Sequence, residues 1–374
     1  MGEKVTKKKA GLMIVYASFI VIICLLWFWW FFLEKYADTA NYENRQLNEP
    51  PRLTLDTYKQ FPNLYERYFN DSLPFRNSFI TLNNSIDYFL FNKASNDDVA
   101  IGLDNWLFYC NVDDGDPIAC YQGNNLLSEE QLTSLAENCI RQRDFLKAQG
   151  IEFVILIVPN KERIYYEKMP QRYGPPAEQY RVLQIVNYLK ANTDLRVIYA
   201  YDELMSAKSA LQENIYYKTD THWNEIGAYV GSRALLHELG IEIPDLVSDQ
   251  IKITLSGEYG GDLAGFLNLK SKLQSFDQWY TIEGYDTHQV VCLGEDHEGA
   301  FLYSAHGADP RKLYVVRDSF AIGMLPYLSS QFNESCFRHR RSYSYEDFVS
   351  HQPDIFVYET VERYAGYLSD FSVQ

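Results

Sequence analysis

An uninterrupted apolar run from Gly11 to Leu33 constrains this chain more than any other feature of its sequence. The run carries no charged residue and would be about 34 Å long as a helix, which is enough to cross a bilayer. Several lysines between residues 4 and 9 precede it, and a basic flank predicts that residues 1–10 remain in the cytoplasm. A cleaved signal peptide normally has a shorter apolar region. We therefore predict a single uncleaved transmembrane anchor over residues 11–33, with the rest of the chain extracellular or periplasmic.

Residues 34–60 are polar and contain Pro50 and Pro51, which predicts a stalk. The remaining residues, 61–374, are numerous enough for one large domain or two small ones, and we predict a single extracytoplasmic domain. The stretch 61–92 is expected to form helices that pack on it. The net charge of −16 argues against nucleic acid and anionic lipid as main partners.

A nearly continuous apolar segment, Ile151–Val158, determines the expected fold class. Segments of this kind are typical of a parallel strand that is buried on both faces. A helix predicted from Ser128 to about Ala148 precedes the strand, and a helix over 176–191 and a strand over 195–200 follow it. This alternation predicts an α/β fold, with a sheet flanked by helices.

The region from 250 to 303 has a different pattern, because short β-rich runs alternate with turns that contain Gly and Asp. We predict an antiparallel insertion there that covers a cleft. Further strands are expected at 333–337 and 353–359, and a hairpin is expected near residues 96–125.

Asp220 and His222 are separated by one residue, just before a helical pattern at 224–240. In an extended segment, side chains two residues apart point the same way, so the carboxylate can orient the imidazole as a general base. Ser319 follows the β-rich run KLYVV and precedes a second helical pattern, a position that suits a nucleophile. These three residues are the predicted catalytic triad.

Five further residues are weaker candidates for the functional site. Asn160 and Lys161 follow the predicted buried strand, where ligands tend to bind in open α/β sheets. Gly261 lies in a glycine-rich turn whose N–H groups can approach a ligand, although an ordinary turn explains it as well. Trp223 and Arg317 adjoin the predicted base and nucleophile. We treat these five as candidates for binding the substrate or the oxyanion. Asp286 and His288 repeat the Asp-x-His spacing, but a strand pattern rather than a helix follows them.

The chain resembles the SGNH-hydrolase-like proteins of the alginate O-acetyltransferase group, also called the DHHW group. The resemblance covers most of the chain outside the predicted anchor. Its segments are KTDTHWN at 218–224, RDSF at 317–320, YFNDSLPFRN at 68–77, IGLDNWLFY at 101–109, IVPNKERIYYEKMP at 157–170, GGDL at 260–263 and PDIFVYETVER at 353–363.

The resemblance implies an SGNH-hydrolase-like fold and a Ser-His-Asp triad that transfers acetyl groups to extracellular polysaccharide through an acetyl-Ser intermediate. It assigns Ser319 as nucleophile, His222 as base and Asp220 as orienting acid. It also implies a membrane-bound O-acyltransferase partner that supplies the acetyl group. We predict no cofactor. This chain departs from the family at Arg317, where the Gly-Asp-Ser form has glycine. Two alternatives remain open: an acetyl esterase with the same triad, and a non-catalytic polysaccharide-binding scaffold subunit.

The cysteines and histidines indicate little further chemistry. Outside the anchor there are five cysteines, at 110, 120, 139, 292 and 336, and no Cys-x-x-Cys spacing. Cys110 and Cys120 bracket a short acidic loop and are the one pair that we single out as a possible disulfide. None of the seven histidines is spaced three or four residues from another, so we predict no metal site.

Overall fold

The structure is a computed structural model that describes residues 2–33, 35, 46–286, 288–295 and 299–374. Part of the predicted stalk, residues 34 and 36–45, and Thr287 of the second Asp-x-His motif lie outside the described residues. The described chain divides into two compact units. One comprises the residues up to Ser95 together with Phe266–Leu269, and the other comprises Asn96–Gly265 and Lys270–Gln374.

Among its described residues, the first unit contains the helices α1 (Gly2–Leu33), α2 (Phe61–Ser72) and α3 (Arg76–Phe91). Within α1, the stretch Gly11–Trp29 is long and apolar enough to cross a membrane. This agrees with the apolar anchor predicted from the sequence. The helices predicted between residues 61 and 92 are present as α2 and α3.

The second unit contains alternating helices and strands. They are β1 (Val99–Ile101), β2 (Leu107–Tyr109), α4 (Pro117–Gln122), α5 (Glu129–Lys147), β3 (Glu152–Val158), α6 (Lys161–Ile164), α7 (Arg181–Asn192), β4 (Arg196–Tyr199), α8 (Tyr201–Ala210), α9 (Glu225–Glu238), β5 (Lys252–Glu258), α10 (Asp262–Phe266), α11 (Lys270–Leu273), β6 (Gln278–Glu283), β7 (Val290–Glu295), β8 (Ala300–Ala305), β9 (Asp309–Arg317), α12 (Leu325–Ser329), β10 (Phe332–His339), α13 (Tyr345–His351) and β11 (Ile355–Val361).

A seven-stranded sheet with the order β4-β3-β11-β9-β10-β8-β7 is the centre of this unit. The first five strands in that order pair in parallel, while β8 pairs antiparallel with β10 and β7 pairs antiparallel with β8. The predicted α/β class is therefore confirmed. The antiparallel strands expected between 250 and 303 are present, but they divide: β5 and β6 form a separate two-stranded sheet, whereas β7 and β8 extend the main one.

Strand β3 lies in the middle of the parallel part, between β4 and β11. Its alternate residues enter two different cores. Val154, Leu156 and Val158 join a cluster that includes residues of α9, and Phe153, Ile155 and Ile157 join a cluster that includes residues of α5 and α7. Because successive side chains of a strand point to opposite faces, both faces must be apolar, and this explains the continuous hydrophobic segment.

Two local predictions need correction. Helix α7 begins at Arg181 rather than at 176, because the backbone before it bonds to other segments: the Ala177 N–H donates to the Tyr121 carbonyl oxygen at 2.9 Å, and the Ala177 carbonyl oxygen accepts from Arg163 at 3.0 Å. The predicted helix after Ser319 is a short 3-10 helix, Phe320–Met324, followed by α12, which begins at Leu325 and has Pro326 in its first turn.

All six cysteines are free thiols, so Cys110 and Cys120 form no disulfide. Their sulfur atoms have separate partners: the Cys110 thiol donates to the Asp97 carbonyl oxygen, and the Arg181 guanidinium donates to Cys120 Sγ. Burial raises the pKa of each of these thiols to about 11.

Candidate active site

Asp220, His222 and Ser319 meet in a continuous hydrogen-bonded chain. His222 Nδ1 lies 2.6 Å from Asp220 Oδ1, and His222 Nε2 lies 2.7 Å from Ser319 Oγ. The backbone N–H of His222 also donates to Asp220 Oδ1, at 2.9 Å. The three predicted catalytic side chains are therefore brought together, in the arrangement of a base that is oriented by an acid and hydrogen-bonded to a hydroxyl.

The loop that carries the acid and the base is fixed at its end by helix α9. The side chain of Asn224 caps this helix by accepting hydrogen bonds from the N–H groups of Ile226 and Gly227. An antiparallel bridge between Tyr216 and Trp223 closes the segment from the other side. The sequence expectation of a helix that starts at Asn224 is thus confirmed, and it explains why the imidazole sits at a fixed position.

Ser319 lies two residues beyond β9, and the Asp318 carboxylate holds the intervening turn. Asp318 Oδ1 accepts a hydrogen bond from the N–H of Phe320 at 2.8 Å, and Oδ2 accepts one from the N–H of Val361 at 2.7 Å. The Asp318 N–H in turn donates to Glu359 Oε2 at 3.0 Å. Burial and the nearby charge of Asp318 raise the pKa of Glu359 well above its ordinary value.

Arg317 occupies the position before Asp318 where the family form has glycine. Its guanidinium donates to the carbonyl oxygens of Gly299 at 2.7 Å and Asp318 at 3.1 Å, and it lies 5.1 Å from the centre of the Phe301 ring. The side chain is buried, and burial lowers its pKa. These contacts brace the turn that carries Ser319, which explains how arginine is accommodated there.

Lys161 is buried beneath the loop that carries Asp220. Its ammonium group donates to the carbonyl oxygens of Tyr217 at 3.3 Å, Lys218 at 3.2 Å and Asp220 at 2.5 Å. An ammonium has three N–H donors, and these carbonyls use all three. Lys161 therefore holds the loop rather than presenting a charge to a ligand.

Asn160 is equally buried and ties the end of β3 to the residues after β11. Its N–H donates to Glu362 Oε2 at 3.0 Å, and its Oδ1 accepts from the N–H of Arg363 at 3.3 Å. Its Nδ2 group has no hydrogen-bond partner among the described residues. Asn160 therefore stabilises the edge of the sheet by joining the end of β3 to the residues after β11.

Gly261 and Trp223, the remaining candidates, also support the site. The N–H of Gly261 donates to Thr219 Oγ1 at 3.3 Å, and a side chain at this position would collide with the Thr219 backbone. Trp223 is buried and donates from Nε1 to the Phe320 carbonyl oxygen at 2.9 Å. Glycine is needed at position 261 for close backbone approach, while Trp223 fixes the residue after the predicted nucleophile.

Asp262 and Tyr259 are site residues that the sequence reasoning did not select. The N–H of Asp262 and the hydroxyl of Tyr259 donate to Asp220 Oδ2, at 2.8 and 3.1 Å. The Asp262 carboxylate lies 3.8 Å from His222 Nδ1 and accepts from the Thr221 hydroxyl at 2.6 Å. The sequence did carry a signal for Asp262, because it is the acidic residue of the GGDL motif.

These contacts shift the pKa values of Asp220 and His222. Burial alone would raise the pKa of Asp220, but the hydrogen bonds from His222 and from the Asp262 N–H outweigh it and lower that pKa. Burial alone would lower the pKa of His222, but the hydrogen bond and charge of Asp220, together with the charge of Asp262, raise it above 6.5. The imidazole is thus a stronger base than an isolated histidine.

A cavity of about 280 Å³ opens beside the Ser319 hydroxyl. Its lining includes His222, Ser319 and the rings of Tyr217, Tyr259 and Trp279. Tyr217 and Tyr259 stack with their ring centres 4.3 Å apart, and Trp279 is 52% exposed. A larger cavity of about 540 Å³, between α8 and α9, is lined by none of the predicted site residues.

Asp220, His222 and Asp262 also place potential metal-ligand atoms within 4.8 Å of one another. Asp220 already accepts hydrogen bonds on both oxygens, from His222, Asp262 and Tyr259. His222 uses its two nitrogens on Asp220 and Ser319. The donor set is therefore satisfied as a proton-transfer chain, and the structure gives no reason to assign a cation to it.

Comparison with known proteins defines the family. Residues 99–301 match the family model described as ALGX: SGNH hydrolase-like domain, acetyltransferase AlgX. This chain belongs to that family. The match confirms the resemblance seen in the sequence, and it includes Asp220 and His222 but ends before Ser319.

Curated relatives include two proteins named probable alginate O-acetylase AlgJ. The one from Pseudomonas syringae pv. tomato is 28% identical over 208 residues, which cover 54% of this chain and 50% of the relative. The one from Pseudomonas fluorescens is 25% identical over 311 residues, which cover 80% of this chain and 76% of the relative. The chain thus spans about half the length of the first of these relatives.

Two solved structures share the fold. Bacillus cereus PatB1 with a sulfonyl adduct is 16% identical with a TM-score of 0.52, and the match covers 72% of this chain and 96% of PatB1. A DHHW family protein from Eubacterium siraeum is 14% identical with a TM-score of 0.50, covering 72% of this chain and 98% of that protein. Both share the fold of this chain, and the family match identifies that fold as the predicted SGNH-hydrolase-like one.

Proposed function

We propose that this protein is a membrane-anchored O-acetyltransferase that acts outside the cytoplasm and transfers acetyl groups to a polysaccharide. The observation that carries the proposal is the hydrogen-bonded chain from Asp220 through His222 to Ser319. The membership in an acetyltransferase family and the curated relatives named alginate O-acetylase support the choice of acyl group and acceptor.

In the first half-reaction, His222 Nε2 accepts the Ser319 hydroxyl proton while Ser319 Oγ attacks the carbonyl carbon of the donor's acetyl group. The tetrahedral intermediate places negative charge on the carbonyl oxygen, and backbone N–H groups at the Ser319 turn are the expected donors to it. Collapse of the intermediate breaks the bond to the donor, which leaves with the proton from His222. Ser319 then carries the acetyl group as an ester.

In the second half-reaction, a sugar hydroxyl loses its proton to His222 Nε2 and attacks the acetyl-Ser carbonyl. The second tetrahedral intermediate expels Ser319 Oγ, which regains the proton from His222. Asp220 holds the ring in the tautomer with the proton on Nδ1 and stabilises the imidazolium that forms in each half-reaction. Atoms and charges balance over the cycle, and no cofactor is needed.

The exposed ring of Trp279 supports a carbohydrate acceptor, because aromatic faces suit the apolar faces of sugar rings. Hydrolysis is the second candidate reaction. The His222 side chain is 26% exposed, so water can reach the acetyl-Ser ester in the absence of an acceptor. An acetyl esterase would use the same triad, and the relative rates of transfer and hydrolysis separate the two.

The apolar stretch Gly11–Trp29 supports anchoring of the enzyme in the cell membrane, with the amino terminus in the cytoplasm. A membrane-bound O-acyltransferase that carries acetyl groups across the membrane is the proposed donor partner. A non-catalytic scaffold is the third reading. The contacts of Arg317, which brace the nucleophile's turn, remove the main sequence argument for it.

The test is a transfer assay with an activated acetyl ester and an acetyl-free oligosaccharide, in which acetylated sugar and free acetate are measured separately. Ser319→Ala and His222→Ala should each reduce both products by about 10³-fold or more. His288→Ala, in the second Asp-x-His motif, is the matched control and should keep full activity. Acetate release without sugar acetylation would favour the esterase, and equal activity of Ser319→Ala and wild type would favour the scaffold.

A further inference from the structure

The first unit carries an apolar stripe on helix α3 that no described residue covers. The stripe consists of Phe79, Leu82, Ile86, Phe89 and Leu90, which are 41–74% exposed. At 100° per residue, these five positions fall within an arc of about 100° on one side of the helix. Single exposed apolar residues are ordinary, but a continuous stripe of this kind marks a contact surface.

The other side of α3 is the side that packs within the unit. Tyr88 is buried, and Asn84 Nδ2 donates to the Leu267 carbonyl oxygen at 2.7 Å. Residues 84 and 88 lie roughly opposite the stripe on the helical wheel. The helix therefore already has an inward face, and the stripe is a second apolar face that the unit itself does not use.

Helices α2 and α3 form a hairpin, and the position of α2 places this hairpin next to the apolar helix α1. Phe69 of α2 packs against Trp27 of α1, with ring centres 6.5 Å apart. Trp27 is close to the outer end of the apolar stretch Gly11–Trp29, where aromatic rings prefer the membrane interface. Only three residues separate the end of α2 from the start of α3, so α3 begins at nearly the same depth.

The charge of this region permits contact with lipid, although the whole chain is strongly acidic. Between residues 46 and 95 the basic and acidic side chains are equal in number, whereas the chain as a whole carries −16. Helix α3 itself contains one arginine and one aspartate. A contact made here is therefore driven by apolar burial, with no electrostatic repulsion from phospholipid head groups.

We propose that helix α3 lies on the outer surface of the bilayer, with its apolar stripe inserted into the interfacial region of the lipid. The occupant of the stripe is then phospholipid rather than protein. The anchor gains a second, amphipathic contact of the type used by interfacial helices. This proposal does not depend on the triad chemistry, so its test needs no enzymatic activity.

The test uses the full chain in nanodiscs of phosphatidylethanolamine and phosphatidylglycerol. The accessible cysteines at 24, 110 and 292 are replaced by serine, and single cysteines are introduced at each position from 78 to 90 and given nitroxide labels. Collision with oxygen, which concentrates in lipid, is compared with collision with a water-soluble nickel chelate. Ser134→Cys, on the exposed side of α5, is the matched water-exposed control.

Oxygen accessibility should rise and nickel accessibility should fall at 79, 82, 86, 89 and 90, with a period of about 3.6 residues along the helix. Ser134→Cys should show the opposite preference. Preference for nickel along the whole helix would place the stripe in water and overturn the proposal. Low accessibility to both reagents at the stripe would show that protein covers it, which would also overturn the lipid assignment.

Discussion

Replacing Lys161 with methionine tests whether the loop that carries Asp220 depends on one buried cation. The Lys161 ammonium group bonds three carbonyl oxygens of that loop and lies 5.3 Å from the centre of the Phe108 ring. Methionine has a similar length, so the substitution removes the donors without opening a large cavity. The side chain is 1% exposed, so water cannot readily replace the lost hydrogen bonds.

A buried polar group that loses its partner costs about 1–3 kcal/mol, and three carbonyl oxygens lose theirs in this variant. Burial of the ammonium group itself is unfavourable, and removing it offsets part of the loss. We therefore expect Lys161→Met to lower the free energy of unfolding by about 3 kcal/mol. Displacement of Asp220 by even 1 Å should also reduce kcat by about 100-fold.

Urea unfolding of the full chain in detergent, followed by near-UV circular dichroism, measures the change in stability. Lys168→Met is the matched control, because Lys168 forms only a partly exposed ion pair with Asp104 and its replacement should leave the free energy of unfolding close to that of wild type. If Lys161→Met unfolded at the same urea concentration as Lys168→Met and retained its kcat, the assignment of Lys161 as the support of the loop would be refuted.

Three further predictions concern the site. Asp262→Asn should shift the acid limb of the kcat/KM profile to lower pH. Burial lowers the pKa of His222, and the Asp262 carboxylate is one of the charges that raise it, so losing that charge lowers the pKa. An acid limb at unchanged or higher pH would contradict this. Trp279→Ala should raise the KM for the oligosaccharide about three- to tenfold while acetate release without acceptor stays within about twofold, since the ring contributes only to acceptor binding. Arg317→Gly should lower the free energy of unfolding by about 1–3 kcal/mol, measured by urea unfolding, yet keep kcat within about tenfold; loss of activity at unchanged stability would show that Arg317 acts in the chemistry.

The parts of the fold that the sequence could predict are those encoded by local patterns. The buried strand β3 has apolar residues on both faces, and helix α5, which was predicted to start at Ser128, begins with a capping box of Ser128 and Gln131. The Asp220–His222 pair was visible because two residues of an extended segment share a face. Each of these features depends on neighbours in the chain.

The roles of Lys161 and Asp262 depend instead on contacts between distant segments. Lys161 lies three residues after the end of β3, a position typical of ligand-binding residues. Its actual partners are carbonyl oxygens of residues that lie 56 to 59 positions further along the chain. Asp262 approaches His222 through a close contact that requires Gly261 beside Thr219. Pairing of β8 with β10 is also non-local, and so the extension of the main sheet could not be derived from strand patterns alone.

The most direct measurement is the intact mass of the full chain after brief reaction with an activated acetyl ester and quenching in acid. Wild type should gain the mass of one acetyl group, and peptide mapping should locate that group on Ser319. The adduct should be absent from Ser319→Ala and strongly reduced in His222→Ala, and adding oligosaccharide should discharge it from wild type. An adduct that persists in Ser319→Ala, or turnover by wild type without any adduct on Ser319, would contradict the proposed acetyl-Ser mechanism.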